Sequence, residues 1–390
     1  MYIKRLAEQV LSGILGGSKV GIVLGARQVG KTTLVEHVLS GRKALFLNLD
    51  VEFDKQRFLA AAALPPLDGL KSLGEPEFLV VDEAQRLPEV ARIVKGWYDV
   101  RLPVKTLLLG SSSLNLLDQA AEALTGRNEK LWLAPLVFEE TLRAQAWYSE
   151  VYPAQVLRQQ WAEPLRICLL DRLAFGSYPE VVQAGDKARL LRQLSSDYLW
   201  KDILQTGLIK SPDLIKRLLT LLAYQTGSEV STHELATQLQ MARPTVDRYL
   251  DLLEQTYVIF RLPAFSTNAR KEIVRSKKVF FWDTGIRNAL INAFSADPCR
   301  PDIGALWENW VIAEVAKYNL LRGSPNELYF WRSRTQSEVD LVIKAADRLR
   351  AFEIKWRSKP GPVPRAFTAQ YGVDVERIAS DDPFRPSELV

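Results

Sequence analysis

The stretch Gly25-Ala-Arg-Gln-Val-Gly-Lys-Thr-Thr33 matches the pattern G-x-x-x-x-G-K-[ST], in which a glycine-rich turn joins a strand to a helix. The glycines let the backbone curl so that successive N–H groups point at phosphates. Lys31 is placed to reach the β- and γ-phosphates, and the Thr32 hydroxyl to coordinate Mg²⁺. The sequence therefore predicts a site for ATP and Mg²⁺ formed by Gly25, Ala26, Arg27, Gln28, Val29, Gly30, Lys31, Thr32 and Thr33.

Short apolar runs on both sides of this loop predict the fold around it. Helical patterns separate them, so residues 1–150 are predicted to form a parallel, doubly wound α/β sheet. The runs predicted as buried strands are Val20–Leu24, Ala44–Leu49, Phe78–Val81 and Thr106–Leu109.

Two adjacent carboxylates end the third of these runs. Asp82 is predicted to hold the metal, and Glu83 to polarise the attacking water. A base at this position distinguishes hydrolysis of a nucleotide from binding alone. The alternative is an acidic pair solvated at the end of a strand, which the preceding phosphate loop disfavours.

Two further positions have roles that the residues leave open. Ser111, with Ser112, follows the fourth run, where a hydroxyl can sense the γ-phosphate or orient water. Ser111 is equally suited to capping the helix that follows. Arg127 can act as an arginine finger on the nucleotide of a neighbouring subunit, or it is an exposed arginine in a loop. Action on a neighbour would require a homo-oligomer, such as a hexamer.

Composition narrows the class of protein. The chain has 390 residues, 47% hydrophobic and 25% charged, as is typical of globular proteins. The chain has two cysteines and two histidines: Cys168, Cys299, His37 and His233. These are too few for a disulfide framework or a Cys/His zinc cluster, so we expect neither. A reducing, cytoplasmic location is predicted. The apolar run at the amino terminus is too short for a signal peptide, and no stretch is long enough to predict a transmembrane helix.

Residues 151–300 are predicted to be mostly helical and to contain a helix-turn-helix. Ser231 and Glu234 have capping-box spacing, and Pro244 suits the first turn of a second helix after a short break. The runs 257–262 and 278–282 predict the strands of a winged helix. Such a module contacts nucleic acid or docks proteins, and both readings stay open.

Residues 301–390 are predicted to form a helix followed by a small sheet, with an irregular proline-containing tail. Glu353 and Lys355 share one face of a strand, and Asp340 lies on a neighbouring strand. Two carboxylates and an ammonium around one point suit Mg²⁺ or Mn²⁺ and metal-assisted cleavage. Glu308 is a plausible fourth member, whereas Glu338 is expected on the other face. The alternative is a surface hairpin with ordinary charge pairs.

With these residues in place, the chain resembles the AAA-type ATPases that carry a C-terminal domain of unknown function numbered 4143. The resemblance implies an ATPase core, a winged-helix-like middle and a C-terminal fold like that of the PD-(D/E)xK nucleases, and it supports Arg127 as a finger. Glu308, Asp340, Glu353 and Lys355 occupy the matching nuclease positions, although Val339 replaces the proline of that motif. The resemblance rests on 25–34, 81–85, 109–114, 125–127, 134–136, 176–180, 198–202, Asn268, Lys271 and 283–285.

Charge suggests the partner. The whole chain carries a net charge of +5, and residues 261–278 and 341–365 each carry +5 on their own. Segments of this kind contact phosphates, so 243–278 and 341–365 are predicted to bind DNA. The leading hypothesis is an ATP-hydrolysing DNA-processing protein with a metal-dependent nuclease site. The alternatives are a nucleotide-gated switch with a non-cleaving C-terminal domain, a motor that remodels DNA junctions, and a protein-remodelling ATPase.

Overall fold

The computed structural model describes residues 2–111, 123–205, 212–266, 277–333, 337–346, 348–357 and 364–390, with the backbone alone at 197–205 and 212. Contacts divide the chain into two compact units. The first is Met1–Ala134 with Gln255–Tyr257, and the second is Pro135–Glu254 with Val258–Val390. The division into domains at residues 150 and 300 stays a prediction. Within these ranges, no helix is long and apolar enough to cross a bilayer.

The first unit contains the predicted parallel sheet. Its strands are β1 (Val20–Leu24), β2 (Ala44–Asn48), β3 (Phe78–Asp82), β4 (Lys105–Gly110) and β5 (Asn128–Trp132). They lie in the order β2-β3-β4-β1-β5, and every pair is parallel. The helices are α1 (Ala7–Gly16), α2 (Lys31–Val38), α3 (Glu52–Ala62), α4 (Pro66–Ser72) and α5 (Val90–Asp99), with a 3₁₀ turn at Ala84–Arg86.

This strand order brings three loops to one edge of the sheet. Because the strands are parallel, the residues that follow β1, β3 and β4 all leave the sheet at its carboxyl edge. Strand β4 lies between β1 and β3. The phosphate loop, Glu83 and Ser111 therefore emerge from three neighbouring strands, with Ser111 in the middle.

The second unit begins with helices and a three-stranded antiparallel sheet in the order β6-β8-β7. Ser231 caps its helix by accepting a hydrogen bond from the N–H of Glu234, and Pro244 lies in the first turn of the next helix, as predicted. Assignment of this region as a winged helix stays a prediction. The elements are α6 (Phe138–Leu142), α7 (Ala154–Gln160), α8 (Ala162–Phe175), α9 (Pro179–Gln183), α10 (Lys187–Gln205), α11 (Pro212–Tyr224), β6 (Glu229–Val230), α12 (Thr232–Leu239), α13 (Arg243–Gln255), β7 (Ile259–Leu262), β8 (Lys277–Phe281) and α14 (Thr284–Leu290).

The unit ends with a long helix and a four-stranded sheet in the order β12-β11-β10-β9. Strand β10 is antiparallel to β9 and β11, and β11 is parallel to β12. The tail, predicted to be irregular at its edges, contains a helix and a strand; Pro364 precedes the helix, Pro383 follows the strand, and Pro386 lies in the final 3₁₀ turn. The elements are α15 (Ile303–Arg322), β9 (Glu327–Arg332), β10 (Glu338–Ala345), β11 (Arg348–Ile354), α16 (Arg365–Tyr371), β12 (Val375–Ile378) and a 3₁₀ turn at Arg385–Glu388.

Candidate functional site

The backbone of the phosphate loop has the curled shape that the glycines predict. Gly25 directly follows β1. A Cβ added at Gly25 would lie 2.0 Å from the carbonyl oxygen of Leu133. Gln28 (φ 58°) and Gly30 (φ 91°) adopt left-handed conformations, and α2 begins at the next residue, Lys31. The loop therefore opens onto a helix N-terminus, where free N–H groups favour an anion.

Lys31 lies inside this loop. Its side chain is buried, and Nζ donates hydrogen bonds to the carbonyl oxygens of Gly25 at 2.9 Å and Ala26 at 2.8 Å. The ammonium is thus held by the loop itself, where incoming phosphate oxygens would replace neutral carbonyls as its partners. Of the other predicted loop residues, Val29 is buried and Thr33 is exposed.

Thr32 and Asp82 meet at the carboxyl edge of the sheet. The Thr32 hydroxyl donates a hydrogen bond of 2.6 Å to Oδ2 of Asp82, although the two residues are 50 apart in sequence. A hydroxyl and a carboxylate are the oxygen ligands that Mg²⁺ accepts alongside nucleotide phosphates. The residues present therefore fit the predicted ion.

Glu83 has a left-handed backbone (φ 51°), and two neutral groups and one guanidinium lie against its carboxylate. The side-chain amide of Gln85 donates to Oε2 of Glu83 at 2.6 Å and to Oγ of Ser111 at 3.0 Å. Oγ of Ser111 lies 3.5 Å from the same carboxylate oxygen, and Arg27 is 3.7 Å from it. The predicted base and the predicted sensor are thus brought together. Ser112 and the segment that Ser111 was considered to cap lie outside the described residues.

Sequence reasoning missed two residues of this site. Besides donating to Glu83 and Ser111, Gln85 has a buried Oε1 for which the described residues supply no hydrogen-bond partner. Arg5 is buried, and its guanidinium donates to the carbonyl oxygens of Val29 and Ala134, both at 2.8 Å. Gln85 lies in the quoted motif and could have been singled out. Arg5 had no such signal, because its partners are 24 and 129 residues away.

Arg127 lies at the amino ends of the strands, whereas the phosphate loop lies at their carboxyl ends. It precedes β5, whose first residue pairs with the first residue of β1, whereas the phosphate loop follows the last. Its Nε is 2.8 Å from Oδ1 of Asp99, and it lines a cavity of about 750 Å³ together with Lys19 and Lys105. Arg127 therefore does not reach the nucleotide site of its own chain. Its predicted action on a neighbour's nucleotide stays a prediction.

The C-terminal residues predicted to act together are also close in space. The register that pairs Leu341 with Phe352 puts Asp340 opposite Glu353 at the next position. The Lys355 ammonium is 3.3 Å from Asp340 Oδ2 and 3.4 Å from Glu353 Oε1, and these carboxylates raise the pKa of Lys355 against the effect of its partial burial. Asp340 also accepts a hydrogen bond of 2.7 Å from the Ile354 N–H.

Glu308 has a partner that the sequence did not reveal. The buried ammonium of Lys278 is 3.0 Å from Oε1 of Glu308 and 2.5 Å from Oε1 of Glu338. Burial raises the pKa of Glu308 to about 7; Lys278 opposes this shift, and Asp340 and Glu338 add to it. The expected placement of Glu338 on the other face is wrong, because strand residues two apart share a face.

These carboxylates are not gathered into a set of metal ligands among the described residues, and their role as ligands stays a prediction. Among the described residues, no group of three or more His, Cys, Asp or Glu side chains could hold an ion. Cations outside the predicted set lie against two of the predicted ligands: Lys278 pairs with Glu308 at 3.0 Å, and Arg377 pairs with Glu353 at 3.1 Å. Lys355 lies beside Asp340, as the predicted constellation requires. In this arrangement the described residues therefore do not fit the Mg²⁺ or Mn²⁺ predicted there.

Part of the predicted DNA-binding charge is also paired internally. The Arg261 guanidinium contacts Asp251 at 2.6 Å and also binds Glu254, and Lys278 is buried as described. Lys277 and Arg365 lie exposed, as do Arg243, Arg348 and Arg357. Residues 267–276, 347 and 358–363, which contain Arg270, Lys271, Arg275 and Lys359, lie outside the described residues.

Two quoted motifs contact each other for structural reasons. Asp283 caps α14 through the N–H of Ile286, and its other oxygen accepts a hydrogen bond of 2.6 Å from the N–H of Ser177. Gly176 (φ 70°) precedes Ser177, and a Cβ there would lie 1.9 Å from the same carboxylate. Burial raises the pKa of Asp283. The segments 176–180 and 283–285 are thus explained by packing.

Comparison with known protein families divides the chain into three matches. Residues 17–142 match an AAA domain, residues 168–297 a domain of unknown function (DUF8612), and residues 303–378 a domain of unknown function (DUF4143). The predicted combination of an AAA domain with DUF4143 is confirmed. A nuclease-like fold for the latter stays a prediction.

The chain is similar over nearly its whole length to curated proteins. It is 30% identical over 383 residues to the uncharacterized protein Rv2008c of Mycobacterium tuberculosis, covering 96% of this chain and 79% of that protein. It is 24% identical over 362 residues to an uncharacterized protein of Haemophilus influenzae, covering 86% and 83%. The Walker-type ATPase PABY2304 of Pyrococcus abyssi aligns with a TM-score of 0.51 and 17% identity, over 74% of this chain and 96% of that one. This likeness shows a P-loop ATPase fold.

Proposed function

This chain belongs to the same protein family as Rv2008c of Mycobacterium tuberculosis, and from that premise we propose that it is an ATP hydrolase that uses its nucleotide cycle to act on DNA. One observation supports the proposal of ATP hydrolysis. Glu83 lies at the carboxyl edge of the sheet beside the paired Thr32 and Asp82, and Gln85 and Ser111 hold its carboxylate. The phosphate loop follows a neighbouring strand, so binding groups and a base come from adjacent strand ends.

Each residue has a distinct part in the proposed reaction. The loop N–H groups and Lys31 bind the β- and γ-phosphates. Thr32 and Asp82 would hold Mg²⁺, which would neutralise phosphate charge. Glu83 accepts a proton from the water whose oxygen bonds to the γ-phosphorus while the bond to the bridging oxygen breaks and ADP leaves. Ser111 and Gln85 keep the Glu83 carboxylate pointed at that water. Arg127, at the far edge of the sheet, acts on a neighbouring subunit in a homo-oligomer such as a hexamer.

The proposal that DNA is the partner rests on the second unit. Helices α12 and α13 are separated by a three-residue break and flanked by paired strands, and Arg243 and Arg248 lie exposed on α13. Lys277 and Arg365 add exposed cations from the two basic segments. Such side chains contact phosphates with an affinity that falls as salt rises. Because Cys168 and Cys299 are free thiols, we place this activity in the cytoplasm.

Of the alternatives for the C-terminal domain, the geometry favours one that binds without cutting. The residues predicted to hold its metal are paired with Lys278, Lys355 and Arg377. The ATPase then acts as a switch for DNA binding or as a motor that remodels DNA junctions.

The test is ATP turnover by the full chain with duplex, single-stranded and four-way DNA at equal nucleotide concentration. We expect turnover without DNA, stimulation by at least one form of DNA, and no cleavage of any form. Stimulation by unfolded protein and not by DNA would replace DNA with a protein substrate. Cleavage that Asp340→Asn abolishes would restore the nuclease hypothesis, whereas cleavage that persists in this variant indicates a contaminating nuclease.

A further inference from the structure

Lys278 occupies the centre of the C-terminal carboxylate cluster. Lys278 is 3% exposed. Its ammonium lies 3.0 Å from Glu308 on α15 and 2.5 Å from Glu338 on β10. The ammonium also lies 5.5 Å from the centre of the Phe330 ring. One cation from β8 thus neutralises carboxylates from two other elements.

The backbone fixes Lys278 in this position. Strand β8 is the central strand of its sheet, and Lys278 itself pairs with Glu229 on one side and with Leu262 on the other. To withdraw the ammonium from the cluster, the protein would have to break both pairings or rotate a buried charge away from its counter-charges. Removing one partner of a buried ion pair leaves the other uncompensated, which is costly.

The remaining carboxylates of the cluster also have fixed partners. Arg377 lies beside Glu353 because the two residues pair directly between β12 and β11, and its Nη2 is 3.1 Å from Glu353 Oε2. Asp340 accepts hydrogen bonds through Oδ2 from the Ile354 N–H and from Lys355. A divalent ion that binds through Asp340 Oδ2 or Glu353 Oε2 would compete with these donors, and the nearby buried ammonium of Lys278 would repel it.

We propose that Lys278 is the permanent cation of this cluster and that the C-terminal domain functions without a divalent metal. The cluster is then an ionic joint within the second unit, which fastens the three-stranded sheet to α15 and β10. Glu308, Glu338 and Asp340 serve this joint and ligate no ion. This inference does not depend on ATP hydrolysis, because it concerns a cluster that shares no residue with the phosphate loop.

Metal binding tests the proposal directly. Free Mn²⁺ is measured by electron paramagnetic resonance while it is titrated into the nucleotide-free full chain, into Asp340→Asn and into the exposed control Asp374→Asn. We expect all three proteins to bind the same number of Mn²⁺ ions, since none binds at this cluster. A site present in the wild type and in Asp374→Asn but lost in Asp340→Asn would overturn the proposal.

Removing the cation provides a second readout. Lys278→Met should lower the midpoint of thermal unfolding by more than about 6 °C in metal-free buffer, because it leaves two partly buried carboxylates without their cation. Lys277→Met, one residue away on the exposed side of β8, should change it by less than about 2 °C. Equal midpoints of thermal unfolding for the two variants would overturn the proposal that Lys278 forms an ionic joint. Should Lys278→Met fail to fold, the Mn²⁺ comparison in the wild type still decides.

Discussion

Carboxylates gather at two places in this molecule, and their partners differ in charge. Beside the phosphate loop, Asp82 and Glu83 accept hydrogen bonds from a neutral hydroxyl (Thr32) and a neutral amide (Gln85), and Arg27 lies farther off, 3.7 Å from Glu83. In the C-terminal cluster, Lys278 contacts Glu308 and Glu338, while Lys355 and Arg377 contact the others.

The charge of the partner determines what a carboxylate can do. A neutral donor can be exchanged for a metal ion or a water at little electrostatic cost, because the carboxylate keeps its unit of negative charge. A carboxylate paired with a buried cation has that charge already compensated, and exchange would leave the cation without a counter-charge. The two sites have similar residue types, and this difference underlies the proposals that the first performs chemistry and that the second holds no metal ion.

The largest effect that this comparison predicts is the loss of turnover in Glu83→Gln. The amide cannot accept the proton of the attacking water, so kcat should fall by roughly 10²–10⁴-fold while ATP still binds. Turnover is measured by phosphate release, and binding by the fluorescence of a labelled ATP analogue. Glu89→Gln, an exposed neighbour in the same loop, should retain full activity.

Two outcomes of that experiment would break the comparison. Turnover that survives Glu83→Gln would remove the catalytic role of Glu83. A similar loss of turnover in Asp340→Asn would show that the second site also serves ATP hydrolysis.

The next largest effect is on stability: the free energy of unfolding should depend on pH because of the C-terminal cluster. The folded chain holds the pKa of Glu308 at about 7, above its ordinary value of 4.5, because of burial. Its contribution to stability is therefore complete below about pH 4.5 and is lost as pH rises through about 7. We expect the free energy of unfolding to fall across this window, on the order of 1–3 kcal/mol, as the cluster that contains Glu308 loses its proton.

Chemical denaturation from pH 4.5 to 8 measures that profile. Glu308→Gln should flatten it, since the amide does not titrate, and the exposed control Glu180→Gln should leave it unchanged. An identical slope in wild type and Glu308→Gln would mean that Glu308 is not held in the buried, carboxylate-rich position described.

The first site could be predicted from sequence because its signals are local. The phosphate loop is contiguous, and the run before Asp82 is apolar throughout, so strand, loop and base follow from short patterns. Strand β5 was missed because it is polar, with Leu131 the one fully buried residue of its five. Such strands lack the apolar run on which a sequence prediction depends.

The second site could be predicted only in part, because its decisive contacts are long-range. The spacing of Glu353 and Lys355 correctly placed both beside Asp340. Composition predicts Lys278 as part of a phosphate-binding segment, because its partners are 30 and 60 residues away and composition cannot show that its side chain points inward. Net charge counts residues and does not register which of them are already paired.

A moderate effect should follow from changing Gln85, which touches the catalytic carboxylate and not the loop. Gln85→Ala removes the amide that holds Glu83 and Ser111, and loss of a hydrogen bond to a charged group should lower kcat by about 10- to 100-fold. The KM for ATP should stay within about twofold, because the phosphate-binding groups are intact. Steady-state kinetics measure both, and the exposed Gln9→Ala is the control.

Comparing the change in KM with the change in kcat shows whether Gln85 positions the Glu83 carboxylate or supports the fold of the phosphate loop. A parallel loss of binding and turnover would indicate that Gln85 supports the fold of the loop. Unchanged kinetics would indicate that Ser111 and Arg27 suffice to hold Glu83.

The smallest effect concerns single cations on the DNA-binding segments, where pairing again makes the difference. Arg365 is exposed, whereas Arg261 is tied to Asp251 and Glu254. If exposed cations contact phosphates, Arg365→Gln should reduce the slope of log affinity against log salt by about one, and Arg261→Gln should leave it unchanged. Fluorescence anisotropy with duplex DNA at several salt concentrations measures the slope. Equal slopes for both variants and the wild type would remove Arg365 from the interface, and a change in Arg261→Gln alone would show that its ion pairs open on DNA.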